Sequence, residues 1–175
     1  MRTLGLVLVV ALSLSLAACV PAPPERARDV VARGPLFETD AEALAAAEKV
    51  YREYSAVLRL ISSGASEDAN RLRALSTTDW FAIQSETLEQ VRVSGRRTVG
   101  ESPLVEFRFQ RREPPDLIAY ACHDYSHLEV KDASGTDVTP TRDRFALFEV
   151  TFSETSGSIL VAKNELWKTS DSCSS

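Results

Sequence analysis

The hydrophobic spacing of this 175-residue chain changes period at Gly95, and that change restricts the available folds more than any motif does. Before Gly95 the apolar residues recur with helical spacing. Leu44, Tyr51, Tyr54, Leu58 and Ile61 form one stripe, with Glu48 and Arg52, then Lys49 and Glu53, four apart on the solvated side. Thr39 stands three residues before Glu42, the spacing of a capping box, so this helix is expected to start there and to stop at Ser62-Ser63-Gly64. A second helix is expected from Asp68 to Leu75. A third, from Thr78 to Val93, is expected to bury Trp80 or Phe81, Ile83, Leu88 and Val91 before Gly95 ends it. After Gly95 the pattern alternates. Val105, Phe107 and Phe109 fall on one side of a strand, with Glu106, Arg108 and Gln110 on the other. Further strands are expected at Leu117–Cys122, Leu128–Lys131, Arg144–Phe152 and Ile159–Trp167, with turns at Asp132-Ala133-Ser134-Gly135 and Thr155-Ser156-Gly157. Helices followed by antiparallel strands make an α+β domain whose helices must cover the apolar face of the sheet.

Charge narrows the choice of partner. The formal net charge is −5, and a mildly acidic chain lacks the basic surface that nucleic acids require. Arg96-Arg97, Arg111-Arg112 and Arg142-x-Arg144 are interspersed with Glu101, Glu106, Glu113, Asp116 and Asp143, which reads as a salt-bridged, solvated face.

The N-terminus has the organisation of an export signal. Arg2 precedes a largely apolar run from Leu4 to Leu16, too short to cross a bilayer, and Ala17-Ala18 follow. Leu16-Ala17-Ala18-Cys19 resembles the lipobox of bacterial lipoproteins. That resemblance implies cleavage before Cys19 and a diacylglyceryl group on its thiol, and two acyl chains hold a protein stably at a membrane where one does not. Residues 1–18 are then the signal peptide and residues 19–37 a lipid anchor and tether, with Pro21, Pro23, Pro24 and Pro35 favouring extended conformations. Residues 38–175 form a single α+β domain. The expected location is the extracytoplasmic face of the cell membrane.

With Cys19 spent on lipid, Cys122 and Cys173 remain, in a compartment where oxidation is permitted. A bridge between them is expected. The alternative, a free thiol or metal ligand, has no C-x-x-C partner to support it. The order of elements over residues 38–173 resembles the NTF2-like and cystatin-like folds, in which helices sit in a curved antiparallel sheet shaped as a cone. Asp124-Tyr125-Ser126, Asp137-Val138-Thr139-Pro140, Phe148-Glu149-Val150-Thr151-Phe152 and Glu165-Leu166-Trp167 with Cys173 are similar to a group of uncharacterised lipoproteins of high-GC Gram-positive bacteria, a group that implies no activity.

Candidate chemistry is sparse. His123-Asp124-Tyr125-Ser126-His127 gathers catalytic residue types, but in an extended segment the two histidines lie about 13 Å apart, too far to share a metal, and no third ligand is evident. Asp124 is expected to accept backbone hydrogen bonds at a turn. Glu149 and Glu165 lie in otherwise apolar strands. Turned inward, either would be a pocket acid or base, but alternation places Phe148, Val150 and Phe152 on the greasier face and Glu149 opposite them. His123, Asp124, Glu149, Glu165 and Trp167 are the residues a pocket would use. No Gly-rich phosphate loop, G-x-S-x-G elbow or H-E-x-x-H is present. The expectation is a non-catalytic binding or protein-interaction module without metal or cofactor, facing an envelope protein or a second copy of itself. The alternative is a small-molecule or acid/base site inside an NTF2-like cone.

Overall fold

The computed structural model describes residues 36–65, 69–155, 157–170 and 173. Cys19, the signal and most of the tether lie outside them. Helix α1 (Asp40–Ser62) starts at the expected box: the Thr39 hydroxyl accepts from the Glu42 amide while the Glu42 carboxylate accepts from the Thr39 amide. Helix α2 covers Ala69–Ala74, and α3 covers Thr78–Val93 with the Thr77 hydroxyl capping its first turn. Gly95, at φ 69°, ends the helical half.

The core stripe of α1 is offset from the leucine pattern. Ala43, Ala47, Tyr51, Tyr54 and Val57 are buried, while Leu44, Leu58 and Ile61 pack along its margins. Alanines at the centre let the helix backbone approach the sheet closely, and the larger residues fill the flanks. On α3, Trp80 and Phe81 are both buried, and Leu88 packs against the core. Ile83, expected inside, is 55% exposed: α3 touches the core mainly through its first turn and presents this position to solvent.

Two antiparallel sheets follow. Strands β2 (Leu104–Glu113), β3 (Asp116–Asp124), β5 (Phe145–Thr155) and β6 (Ser158–Ser170) form a four-stranded sheet in the order β2-β3-β5-β6. Strand β1 (Arg97–Glu101), absent from the sequence reading, pairs with β4 (His127–Lys131) in a separate ribbon. Gly100 is required there: its φ is 96°, and a Cβ would collide with the carbonyl of His127 across the ribbon. The segment before α3 extends the large sheet, Ser76 bridging in parallel to Val161 and covering part of the β6 edge.

Cross-strand register sorts the faces. Phe107, Ala121 and Phe148 share one row, and Leu117 and Phe152 another, on the side that meets α1 and α3. Arg108, Tyr120, Glu149 and Glu165 form the corresponding row on the opposite side. Bulges at Leu104/Glu106 and Phe109/Arg111 break the alternation expected of β2, leaving Val105 and Phe109 substantially exposed and rotating Arg112 inward. Arg112 donates to Glu154 at 2.7 Å, both side chains 7% exposed, and to the carbonyl of Phe37 at 3.1 Å, which ties the entry to α1 onto the sheet.

Cys122 and Cys173 are disulfide-bonded. Cys122 belongs to β3 and Cys173 follows β6, so the bridge passes over the intervening β5 at Leu147, the cross-strand neighbour of Cys122. This explains why Leu147 is only 3% exposed although it points away from the helices. Among the described residues no helix is long and apolar enough to cross a membrane.

Candidate functional site

The space between α1 and the sheet is filled by aromatic rings. Tyr51 stacks on Tyr54 and Phe107 at 6.1 and 5.7 Å between ring centres and meets Phe152 and His123 edge-on. Their polar atoms form one internal chain. His123 Nδ1 lies 2.9 Å from the carbonyl of Ser102, and a carbonyl only accepts, so Nδ1 carries the proton. Nε2 is then the acceptor and receives the hydroxyl proton of Tyr51 at 3.1 Å, with Asn164 Oδ1 at 3.4 Å as the longer second contact of that hydroxyl. Alongside, Trp80 Nε1 donates to the Tyr54 hydroxyl at 2.8 Å.

Burial keeps this chain neutral. It pushes the His123 imidazole below its ordinary value, an effect the Ser102 carbonyl opposes and the nearby Arg52 charge reinforces. It raises Tyr51 far above the usual phenol range and Tyr54 to about 12. A neutral histidine whose two nitrogens are both committed, beside phenols that hold their protons, is a structural network rather than an acid/base pair poised for turnover.

The residues singled out from the sequence are divided between the two faces of the sheet. His123 lies on the helix side, 5% exposed. Asp124, next in sequence, points the other way, where Arg144 donates to it at 2.8 Å and both the amide and hydroxyl of Ser126 donate to it. Chiefly through Arg144, its carboxyl is held well below the usual carboxylate range. Glu149 and Glu165 are cross-strand partners on that same side, and Lys163 bonds Glu165 at 2.7 Å. Among the described residues no group of three or more His, Cys, Asp and Glu side chains is arranged to hold a metal.

Trp167 is the exposed member. It is 58% exposed, and its ring packs on Tyr120 at 5.9 Å between centres. Tyr120 in turn lies under the Arg108 guanidinium, 5.3 Å away, and accepts from Gln110 Nε2 at 2.7 Å. Sequence reasoning missed this grouping, because Arg108, Gln110, Tyr120 and Trp167 come together only through the pairing of four strands. Arg108 Nε and Nη2 and Gln110 Oε1 are buried without a hydrogen-bond partner among the described residues, and the Glu106 carboxylate lies 3.9 Å from Arg108 Nε. On the helix side a groove of about 620 Å³ runs between the end of α1, α2 and α3 over Ile61, Leu72, Leu88 and Val91. None of the expected pocket residues His123, Asp124, Glu149, Glu165 and Trp167 lines it, whereas the Arg96-Arg97 pair does.

No protein-family model matches the chain, and no curated protein is significantly similar to it. Among solved structures the chain is similar to the intermembrane space region of the chloroplast protein ARC6, with a TM-score of 0.53 at 9% sequence identity, over 74% of this chain and 98% of that one. At that identity the similarity concerns the fold alone.

Proposed function

We propose that this is a lipid-anchored, extracytoplasmic interaction module that docks a protein partner of the cell envelope on the side of its sheet facing away from the helices. One observation carries the reading. The space between α1 and the sheet is occupied by Tyr51, Tyr54, Phe107 and Phe152, whereas the outer face presents an exposed Trp167 on Tyr120 beside the part-exposed side chain of Arg108. Tryptophan, tyrosine and arginine are the residues that dominate binding energy at protein interfaces. The anchor rests on the Leu16–Cys19 lipobox, and the tether of residues 19–37 supplies the reach. The sheet is read as an NTF2-like or cystatin-like cone, a reading supported by the bulges in β2 and β6, since bulges bend the strands that carry them.

The test is capture from native membranes by the intact lipoprotein, with the partner identified by mass spectrometry. Trp167→Ala and Arg108→Ala are expected to lose a partner that His123→Asn retains, and Cys19→Ala to leave the membrane fraction or remain unprocessed. Retention of every partner by Trp167→Ala and Arg108→Ala would contradict docking on this face, and recovery of a second copy of the chain alone would make the interface a homodimer.

A further inference from the structure

A smaller cleft, of about 190 Å³, opens on the helix side where α1 crosses the connection between β1 and β2, and it is lined by Arg52, Ser55, Ala56, Arg59, Ser102, Leu104 and His123. Arg52, Ser55, Ala56 and Arg59 fall at i, i+3, i+4 and i+7, so a single stripe of α1 forms one wall. The cleft is smaller than the roughly 300–1,000 Å³ of sites for drug-sized ligands, which restricts an occupant to a few heavy atoms. Its charge is one-sided. Arg52 gives Nε and Nη2 to Glu48 and leaves its Nη1 uncommitted, while the Arg59 guanidinium makes no ion pair or hydrogen bond among the described residues. No carboxylate lines the cleft, and Glu48 reaches it only through Arg52. The remaining wall is the imidazole of His123, held neutral between Ser102 and Tyr51, with Leu104 supplying an apolar side.

From this geometry we infer that the cleft is a binding site for a compact oxyanion, a phosphate or carboxylate group, held between the guanidinium groups of Arg52 and Arg59 with the hydroxyls of Ser55 and Ser102 within its walls. Two guanidiniums lining one cleft with no acid between them offer N–H donors to planar or tetrahedral oxygens, although the Arg52 side chain stays half-exposed to water. His123 is not a ligand, since both its nitrogens are engaged; it is the wall that senses the charge. The groups facing it are Tyr51 and Arg52 from α1, the Ser102 carbonyl, Tyr125 of its own chain segment and Phe148 of β5. Of these only Arg52 is charged, and an anion against Arg52 cancels the repulsion that disfavours imidazolium.

This inference is independent of the outer-face docking reading, and the chain contains its own control, because it has two histidines and His127 is exposed on β4 outside the cleft. Imidazole resonances of the full domain are followed by NMR during titration with inorganic phosphate and, separately, acetate, with ionic strength held constant by chloride. Saturable shifts at His123 with an upward displacement of its titration midpoint, without a response at His127, are expected for at least one of the two anions. The anion that saturates at lower concentration identifies the preferred oxygen geometry. Arg59→Ala is expected to weaken binding by about tenfold or more, the loss typical of a charged hydrogen bond. Ala56→Leu, which fills the cleft while keeping both arginines, is expected to abolish it. Equal, unsaturable responses of both histidines to phosphate and acetate, or unchanged affinity in Ala56→Leu, would overturn the site.

Discussion

At the scale of single residues, two buried charges carry the sharpest consequences. Arg112 and Glu154 are both almost wholly enclosed, so removing one leaves the other unpaired. Glu154→Ala is expected to cost about 3 kcal/mol, at the low end for such losses because the Phe37 carbonyl and Asp40 still attend Arg112, and chemical denaturation measures it. His123 and Asp124 separate in pH. Burial lowers His123 from its ordinary 6.5, so above that value it is neutral in both folded and unfolded chains and makes no difference. As the pH falls below it, the unfolded chain takes up a proton that the native state refuses, and stability declines. Asp124 is depressed from 3.8, so the stability it contributes is present above that value and is lost as the pH falls further. Unfolding free energy should therefore decline in two stages on acidification, and His123→Asn should flatten the stage that begins below pH 6.5 while keeping the one that begins below 3.8. A single decline below pH 4 in the parent protein would refute the buried neutral imidazole. His123 itself was legible as a candidate from its cluster of functional residue types. Its partners were not: Tyr51 is 72 residues away and Ser102 is 21, and such distances are closed only by the packing of α1 on the sheet.

At the scale of elements, the boundary signals were legible and the facing was less so. The capping box at Thr39 and Glu42 and the span of α3 are where local chemistry puts them, because caps satisfy backbone donors whatever the tertiary context. The face that α1 buries depends on how closely the sheet approaches, a property of alanines that hydrophobic spacing underweights. In β2 the expected alternation held only between the bulges, since each extra residue reverses which side follows. Strand β4 was expected, but its partner β1 escaped notice because Arg97-Thr98-Val99-Gly100-Glu101 carries one apolar side chain and buries almost nothing. The disulfide, by contrast, followed from counting cysteines, and it links β3 to the end of β6 across 51 residues. Its loss in a Cys122→Ser, Cys173→Ser variant is expected to lower stability by up to about 4 kcal/mol by the loop-entropy argument. Exposure of Leu147 would add to this, and thermal melts with and without reductant provide the measurement. An unchanged melting temperature would show that β6 holds its place without the bond.

At the scale of the whole molecule, the two sides of the large sheet are used differently. Between α1 and the sheet the helix side is filled by interlocked rings and hydrogen bonds that satisfy one another, which specifies the fold and leaves its open space to the groove beside α2 and α3 and the cleft at Arg52. The outer side carries cross-strand carboxylates, a covering disulfide and the Arg108–Tyr120–Trp167 row, a polar surface with an aromatic centre. A domain built this way suits the proposed role, in which a lipid on the proline-rich tether would bring the outer face to other envelope proteins while the interior stays fixed. Site-specific photo-crosslinking of the intact protein in native membranes tests this division directly, with the reactive group placed at Trp167 on the outer face or at Ile83, equally exposed on α3. The account predicts a discrete protein adduct from position 167 and none from position 83. An adduct from position 83 alone would place the docking surface on the helices and contradict it.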